Sequence, residues 1–251
     1  MDKVALITGA SKGIGKAIAI NLAKEGYIVV INYNTDLGGA SNTLKEVSKY
    51  SDGIIIKCDI SKEDEVKKMV DEIINKYQKI DVLVNNAGIA IDTLFDDKKI
   101  EDFKRVIDVN LIGTFIVSRC VGNYMLENRS GSIINISSTN GIDTYYEYSL
   151  DYDASKAGVI SLTHNLASHY APYIRVNAIC PGWVNTKMNK ELDAEYIKKE
   201  CRKIKLGRFA QPDEIAKVVT FLASDNASYI NDSIIRVDGG ESNEWKSNRI
   251  S

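Results

Sequence analysis

Two textures alternate along the chain. Short apolar runs rich in Val and Ile occur at Val4–Ile7, Ile28–Ile31, Ile54–Ile56, Val82–Val84, Ile133–Ile136, Val176–Ile179 and Ile234–Val237. Runs without polar alternation predict strands buried on both faces, as in a parallel sheet covered by helices. Between them apolar positions recur with the helical period, which predicts helices over Ile14–Lys24 and about 37–50, 63–77, 100–125, 151–171 and 212–223. Ser61-Lys62-Glu63-Asp64 has the form of a helix-capping pattern. Pro212 suits the first turn of its helix.

Strict alternation of strand and helix requires right-handed crossover connections. The expected fold class is therefore α/β: a single-domain Rossmann-type doubly wound sheet of seven parallel strands flanked by helices, spanning residues 1–251. No linker, repeat or low-complexity segment interrupts it. Two stretches break the pattern, Asp143–Asp151 and about 184–208, and the tail 241–251 is polar.

Composition narrows the function classes. With 44% hydrophobic and 26% charged residues among 251, the chain is neither collagen-like, disordered nor a disulfide scaffold. A net charge of −2 gives no basic surface for nucleic acid or anionic membrane. The longest basic stretch, Lys198, Lys199, Arg202, Lys203 and Lys205, is interrupted by Glu200 and reads as the solvated face of a helix. Cys58, Cys120, Cys180 and Cys201 form no C-x-x-C pair and suit a reducing compartment. Met1-Asp2-Lys3 runs directly into the first apolar run without a leader, and no apolar run approaches membrane-spanning length, so a cytoplasmic location is expected. The two histidines, His164 and His169, share one helix and supply neither a metal site nor a Ser-His-Asp triad.

Candidate chemistry lies at the C-terminal ends of the predicted strands, where doubly wound sheets bind ligands. The first strand leads into Thr8-Gly9-Ala10-Ser11-Lys12-Gly13-Ile14-Gly15, a glycine-rich turn that opens a helix and exposes backbone N–H groups to an anion. Asp59 and Ile60 follow the third strand; Asp59 either accepts from an adenine amino group or caps the next helix. Asn86-Ala87-Gly88 follows the fourth, as a close approach to a ribose or as a simple turn. The second strand ends Asn32-Tyr33 with no acid before Asp36, and Lys12 lies in the glycine turn. A 2′-phosphate needs a cation and no nearby carboxylate, so charge favours NADP(H), with NAD(H) the alternative if Asp36 folds back. Tyr152 is the one tyrosine followed four residues later by a lysine, Lys156, and the two share a helix face.

Taken together, T-G-x-x-x-G-x-G, N-N-A-G and Y-x-x-x-K resemble the short-chain dehydrogenase/reductase family. The resemblance runs from Val4 through Asn110, Ser138, Tyr152, Lys156 and Pro181-Gly182 to Val237-Asp238-Gly239-Gly240. It implies hydride transfer between a nicotinamide and a carbonyl or secondary alcohol. Tyr152 would be the proton donor or acceptor, its phenol acidified by Lys156 and the oxidised nicotinamide together. Ser138 would hold the substrate oxygen, and Asn110, inside the predicted 100–125 helix, would position a relay water behind Lys156. The cofactor set implied is Gly9, Ser11, Lys12, Gly13, Ile14, Gly15, Asn32, Tyr33, Asp59, Ile60, Asn86, Ala87, Gly88, Tyr152, Lys156, Pro181, Gly182, Val184 and Thr186, with no metal. Trp183–Lys205 would be a mobile lid over the substrate.

The overall pattern is most similar to 3-oxoacyl-[acyl-carrier-protein] reductases of fatty acid biosynthesis. Glucose dehydrogenases and other polyol, small-alcohol or hydroxysteroid enzymes stand behind. A nucleotide-binding regulatory protein without turnover is the alternative of another class. Carrier-protein reductases present two basic residues to an acidic carrier. Arg129 matches one, but the second position falls at Tyr173, with no Lys or Arg before Arg175. Asp143-Thr144-Tyr145-Tyr146-Glu147-Tyr148-Ser149-Leu150-Asp151 is more aromatic and acidic than the matching stretch of those reductases. It reads either as a wall for a polyhydroxy or cyclic substrate or as a subunit contact. Family members are usually homotetramers, and the resemblance implies the same here.

Overall fold

The computed structural model describes residues 3–186 and 192–242. All seven expected strands are present: β1 (Val4–Ile7), β2 (Ile28–Tyr33), β3 (Gly53–Lys57), β4 (Val82–Asn85), β5 (Gly131–Ile136), β6 (Ile174–Pro181) and β7 (Ile234–Val237). They form one parallel sheet in the order β3-β2-β1-β4-β5-β6-β7. The order reverses direction between β1 and β4, and that switch point opens a crevice beyond their C-terminal ends.

The helices are α1 (Gly13–Lys24), α2 (Leu37–Val47), α3 (Glu63–Tyr77), α4 (Ile100–Ile107), α5 (Thr114–Glu127), α6 (Leu150–Tyr170), α7 (Ala194–Cys201) and α8 (Pro212–Ala223). Two cores result. On one face Ile18, Leu22, Ile31, Val84, Ile215 and Val219 join α1 and α8 to the sheet. On the other, Leu6, Met69, Ile73, Leu83, Val121 and Ile133 join α3 and α5 to it. Burial on both sides is why the strands carry no polar alternation.

Several local expectations change. The helix expected over about 37–50 stops at Val47. Ser61 does not cap α3: its N–H and hydroxyl both bond the Asp59 carboxylate, while Lys62 holds the cap position without a side-chain bond. Pro212 does open its helix, supported by a reciprocal Gln211–Glu214 capping box. The stretch expected to be irregular over about 184–208 contains α7, capped by Asp193. Its residues 187–191, and 243–251 of the polar tail, lie outside the described residues.

The helix expected over about 100–125 is continuous but not uniform, because Asp108–Gly113 widens into a π turn between α4 and α5. By length and composition Ile100–Glu127 is apolar enough to cross a membrane, yet 56% of its most apolar window is buried inside the protein. It serves as a core helix.

Candidate active site

The glycine turn after β1 is welded to the loop after β4. Thr8 Oγ1 accepts the N–H groups of Asn86 and Ala87, both at 3.0 Å, and Asn86 Nδ2 donates to the Thr8 and Gly9 carbonyls at 2.9 and 3.0 Å. Gly9 has φ +62°, and a Cβ there would lie 2.7 Å from the Ala87 Cα, so backbone proximity itself demands glycine. Asn32 works from the other side. Its Oδ1 accepts Gly9 N–H at 3.3 Å, its Nδ2 donates to the Cys58 carbonyl at 3.1 Å, and its own carbonyl accepts Ala10 N–H at 3.0 Å. Asn32 and Asn86, both expected at the cofactor, line the cleft and also hold the turn through their side-chain amides.

Behind this turn α1 begins without a capping side chain and without an acid in its first turn. Its leading N–H groups therefore face the crevice as an anion site. The crevice is a cleft of about 830 Å³ lined by Gly9, Ser11, exposed Lys12, Gly13, Ile14, Gly15, Asn32, Tyr33, Asp59, Ile60, Asn86, Ala87, Gly88, Ser138, Tyr152, Lys156, Pro181, Gly182, Val184 and Thr186. Every expected site residue except Asn110 is thus gathered along one cleft. Its size, the uncapped helix N-terminus and the polar groups at both ends fit an extended dinucleotide.

At one end of the cleft, Asp36 caps α2 by accepting Gly39 N–H at 2.8 Å. Burial raises the Asp59 carboxyl, but bonds from Ser61 and the charge of Arg105, 3.6 Å away, outweigh it and hold the group below its ordinary value. Asp59 forms a turn with Ser61 and does not cap α3, and it lines the cleft where an adenine acceptor is expected. Asn34, Thr35 and Arg105 also line this end. Arg105 escaped sequence reasoning because nothing local marks one basic residue on a solvated helix as cleft-facing.

At the other end, Ser138 follows β5 and Tyr152 and Lys156 lie on the first turns of α6. Ser138 is 8% exposed and Lys156 4%. Lys156 Nζ donates to the Ile136 carbonyl at 2.8 Å and sits 5.4 Å from the Tyr152 ring centre. Burial pulls the Lys156 ammonium down to about 8. It pushes the Tyr152 phenol up to about 12, opposed by a hydrogen bond with Ser138. The acidification of Tyr152 is expected from Lys156 and the oxidised nicotinamide together, and in the protein by itself burial dominates both groups. Desolvation acts against the charged form of both groups, while the hydrogen bond from the Lys156 ammonium to the Ile136 carbonyl favours the charged lysine.

Asn110 lies in the π turn and does not line the cleft. Its Nδ2 donates to Ile89 O at 2.9 Å and Ser155 Oγ at 3.0 Å, and its Oδ1 accepts Ile89 N–H at 2.8 Å. A Cβ on Gly88 would meet Asn110 Oδ1 at 3.3 Å and Lys156 Nζ at 3.6 Å, so both side chains approach Gly88. π turns recur at functional sites, and a period-based reading cannot show one.

Five aromatic rings run from beside Gly182 to the loop before α6. Trp183, next to Gly182, stacks on Phe209 at 5.2 Å and meets Tyr196 of α7 edge-on at 6.0 Å. Tyr196 hydrogen-bonds Tyr146, which packs on Tyr148 at 5.2 Å. The same loop is anchored by Asp143 on Arg236 and by Asp153 on Tyr146 N–H and Ser149 Oγ. Away from the cleft, His164 pairs with Asp232 at 2.6 Å and His169 packs edge-on to Tyr170.

Comparison with known proteins agrees with this site. The profile of the family described as enoyl-(acyl carrier protein) reductase matches residues 9–242. The 3-oxoacyl-[acyl-carrier-protein] reductase of Thermotoga maritima is 42% identical over 244 residues, covering 95% of this chain and 97% of the relative. The protein of the same name from Synechocystis is 42% identical over 241 residues, covering 95% and 96%. Among solved structures, the 3-oxoacyl-[acyl-carrier protein] reductase of Brucella melitensis superposes with a TM-score of 0.89 at 33% identity, covering 95% of this chain and 91% of that one. Levodione reductase gives 0.89 at 32% identity, covering 96% and 97%. With its seven-stranded sheet, its glycine turn and near-complete coverage by these relatives, the chain belongs to the short-chain dehydrogenase/reductase family, nicotinamide-dependent oxidoreductases acting on C=O and CH–OH groups.

Proposed function

We propose that the chain is an NADPH-dependent reductase of 3-oxoacyl thioesters carried on acyl carrier protein, with Ser138, Tyr152, Lys156 and Asn110 as its machinery. The observation that carries this reading is the Tyr152 phenol, hydrogen-bonded to Ser138 beside a buried Lys156 at the end of a dinucleotide-sized cleft. The two 3-oxoacyl relatives at 42% identity support the substrate class. Lys12, exposed at the cleft, supports the 2′-phosphate form of the cofactor, against Asp36, which caps α2 and also lines that end.

The nicotinamide, when bound, supplies the hydride for the carbonyl carbon. The chain's own residues do the rest. The uncapped start of α1 and Lys12 bind phosphate. Ser138 donates to the substrate oxygen and stabilises charge developing there. Tyr152 gives that oxygen its proton, and a phenol held well above neutral pH is in the donating form. Lys156, fixed by Ile136, keeps a positive charge below the phenol and holds the ribose. Exposed Ile112 and Phe115 on and beside α5 support assembly through that helix into a homotetramer.

One observation favours a second reading, a compact cyclic ketone as substrate. The rings from Phe209 to Tyr148 form an aromatic chain, stacked at Trp183–Phe209 and tilted or edge-on elsewhere, and Tyr173 stands where a second carrier-facing cation is expected, its ring centre 5.4 Å from the Arg129 guanidinium. The test is loss of reduced-nicotinamide absorbance with NADPH against acetoacetyl thioesters and cyclic diketones. Thioester turnover supports the first reading; silence with thioesters and rapid cyclic-ketone reduction supports the second.

A further inference from the structure

The loop between β4 and α4 carries a buried ion pair that the chemistry above does not use. Lys98 Nζ meets Asp151 Oδ2 at 3.0 Å, and the two side chains are only 5% and 0% exposed. Lys98 also donates to the Ile91 carbonyl. Asp151 immediately precedes Tyr152, and its Oδ1 accepts the Tyr152 N–H at 2.9 Å.

These contacts close a circuit around the proton donor. From the Tyr152 N–H it passes through Asp151 and Lys98 to Ile91, and along two peptide units to Ile89. Ile89 is gripped by Asn110 through both its N–H and its carbonyl, at 2.8 and 2.9 Å. Asn110 Nδ2 then donates to Ser155 Oγ at 3.0 Å, and Ser155 Oγ donates to the Tyr152 carbonyl at 2.7 Å. Both backbone polar groups of Tyr152 are thereby tied, by separate routes, to the loop that follows Asn86-Ala87-Gly88 on the cleft wall.

We propose that Lys98 and Asp151 are positioning residues that fix Tyr152 against the cleft wall through this circuit. Two charges taken out of water are costly, and burying them stabilises a fold poorly unless geometry and extra hydrogen bonds compensate. Here the extra bonds go to the Tyr152 N–H and to the loop, where small errors in donor position slow the chemical step. Asp92, also near Lys98, is raised by burial and lowered by that ammonium, with Asp151 and Asp153 raising it. Lys98 thus faces two carboxylates, Asp151 and Asp92, and removing it leaves Asp151 buried and unpaired. The proposal rests on Tyr152 as proton donor.

The test compares Lys98→Met, the double variant Lys98→Met/Asp151→Asn, and Tyr152→Phe in the full chain. kcat is measured per NADPH-binding site, with NADPH affinity read from nucleotide fluorescence, so that misfolded protein does not enter the rate. Lys98→Met is expected to lower kcat by ~10–100-fold with the NADPH Kd within ~2-fold of the parent. The double variant leaves no unpaired charge, and its amide oxygen still accepts from Tyr152 N–H, so kcat is expected to recover to within ~5-fold. Should Lys98→Met fail to fold, Lys98→Arg replaces it, with kcat reduced and Kd unchanged. Parental kcat in Lys98→Met, kcat and affinity falling together, or a double variant no faster than Lys98→Met would each overturn the proposal. Parental activity in Tyr152→Phe would instead remove the proton-donor reading beneath it.

Discussion

Lys156 lies 5.4 Å from the Tyr152 ring centre, yet its ammonium donates to the Ile136 carbonyl, and burial raises the phenol while lowering the amine. The protein alone therefore keeps Tyr152 as a proton donor. Acidification for the reverse reaction is expected from Lys156 together with the positive charge arriving with the oxidised cofactor.

A pH dependence follows from these directions. Lys156 carries its proton below about 8 and loses it above, while Tyr152 stays a phenol up to about 12. Reductive kcat/KM is expected to be level through neutral pH and to fall above about 8 with the loss of one proton. A pH–rate profile of ketone reduction checks this, and a rate that climbs past that point contradicts it.

Cofactor choice is expected to depend on Lys12. Lys12→Ala removes the exposed cation beside the glycine turn and is expected to raise the KM for NADPH roughly tenfold, about 1.4 kcal/mol, while leaving that for NADH within ~2-fold. Steady-state kinetics with both nucleotides decide it. Equal effects on the two would place Lys12 on the shared pyrophosphate.

Much of this was legible in the sequence, for identifiable reasons. Unbroken Val and Ile runs marked all seven strands because both sheet faces are covered, and the glycine turn announced itself because Gly9 has no room for a Cβ beside Ala87. What stayed hidden depends on contacts distant in sequence. Asn32, expected at the cofactor and lining the cleft, also braces Gly9. Asp59 does not cap the next helix, because its carboxylate is drawn into a turn by Ser61. The π turn at Asn110 and the Lys98–Asp151 pair have no periodic signature, since each is set by what α6 and the loop after β4 bring against it.

The glycine turn gives a stability prediction. Gly9→Ala forces a side chain into left-handed backbone at φ +62° and toward the Ala87 backbone. Strain and overpacking together are expected to cost about 2–4 kcal/mol and to abolish nucleotide binding. Chemical denaturation and nucleotide fluorescence measure the two effects. An unchanged midpoint would show that the turn relaxes.

Glu241 gives a second pH effect. Its Oε2 is buried without a hydrogen-bond partner among the described residues, and burial, with Asp238 and Glu200 nearby, raises the carboxyl to about 7. From the ordinary value of 4.5 up to about 7 the unfolded chain has released a proton that the folded protein retains, so this residue lowers stability as pH rises through that window. Glu241→Gln is expected to be more stable than the parent above about pH 7 and no more stable below about pH 4. Denaturation midpoints at the two ends check the sign; a gain confined to acid pH would reverse it.

The central claim, a tyrosine proton donor in a nicotinamide-dependent reductase, meets its most direct test in Tyr152→Phe. Single-turnover oxidation of bound NADPH by an acetoacetyl thioester, or by a cyclic diketone if the thioester is silent, is compared with the parent at equal nucleotide occupancy. A fall of ~10²–10⁴-fold in the rate with NADPH affinity unchanged is the expected result. A rate within ~3-fold of the parent would contradict the assignment, because removing the donor of a general acid step is expected to cost far more than that.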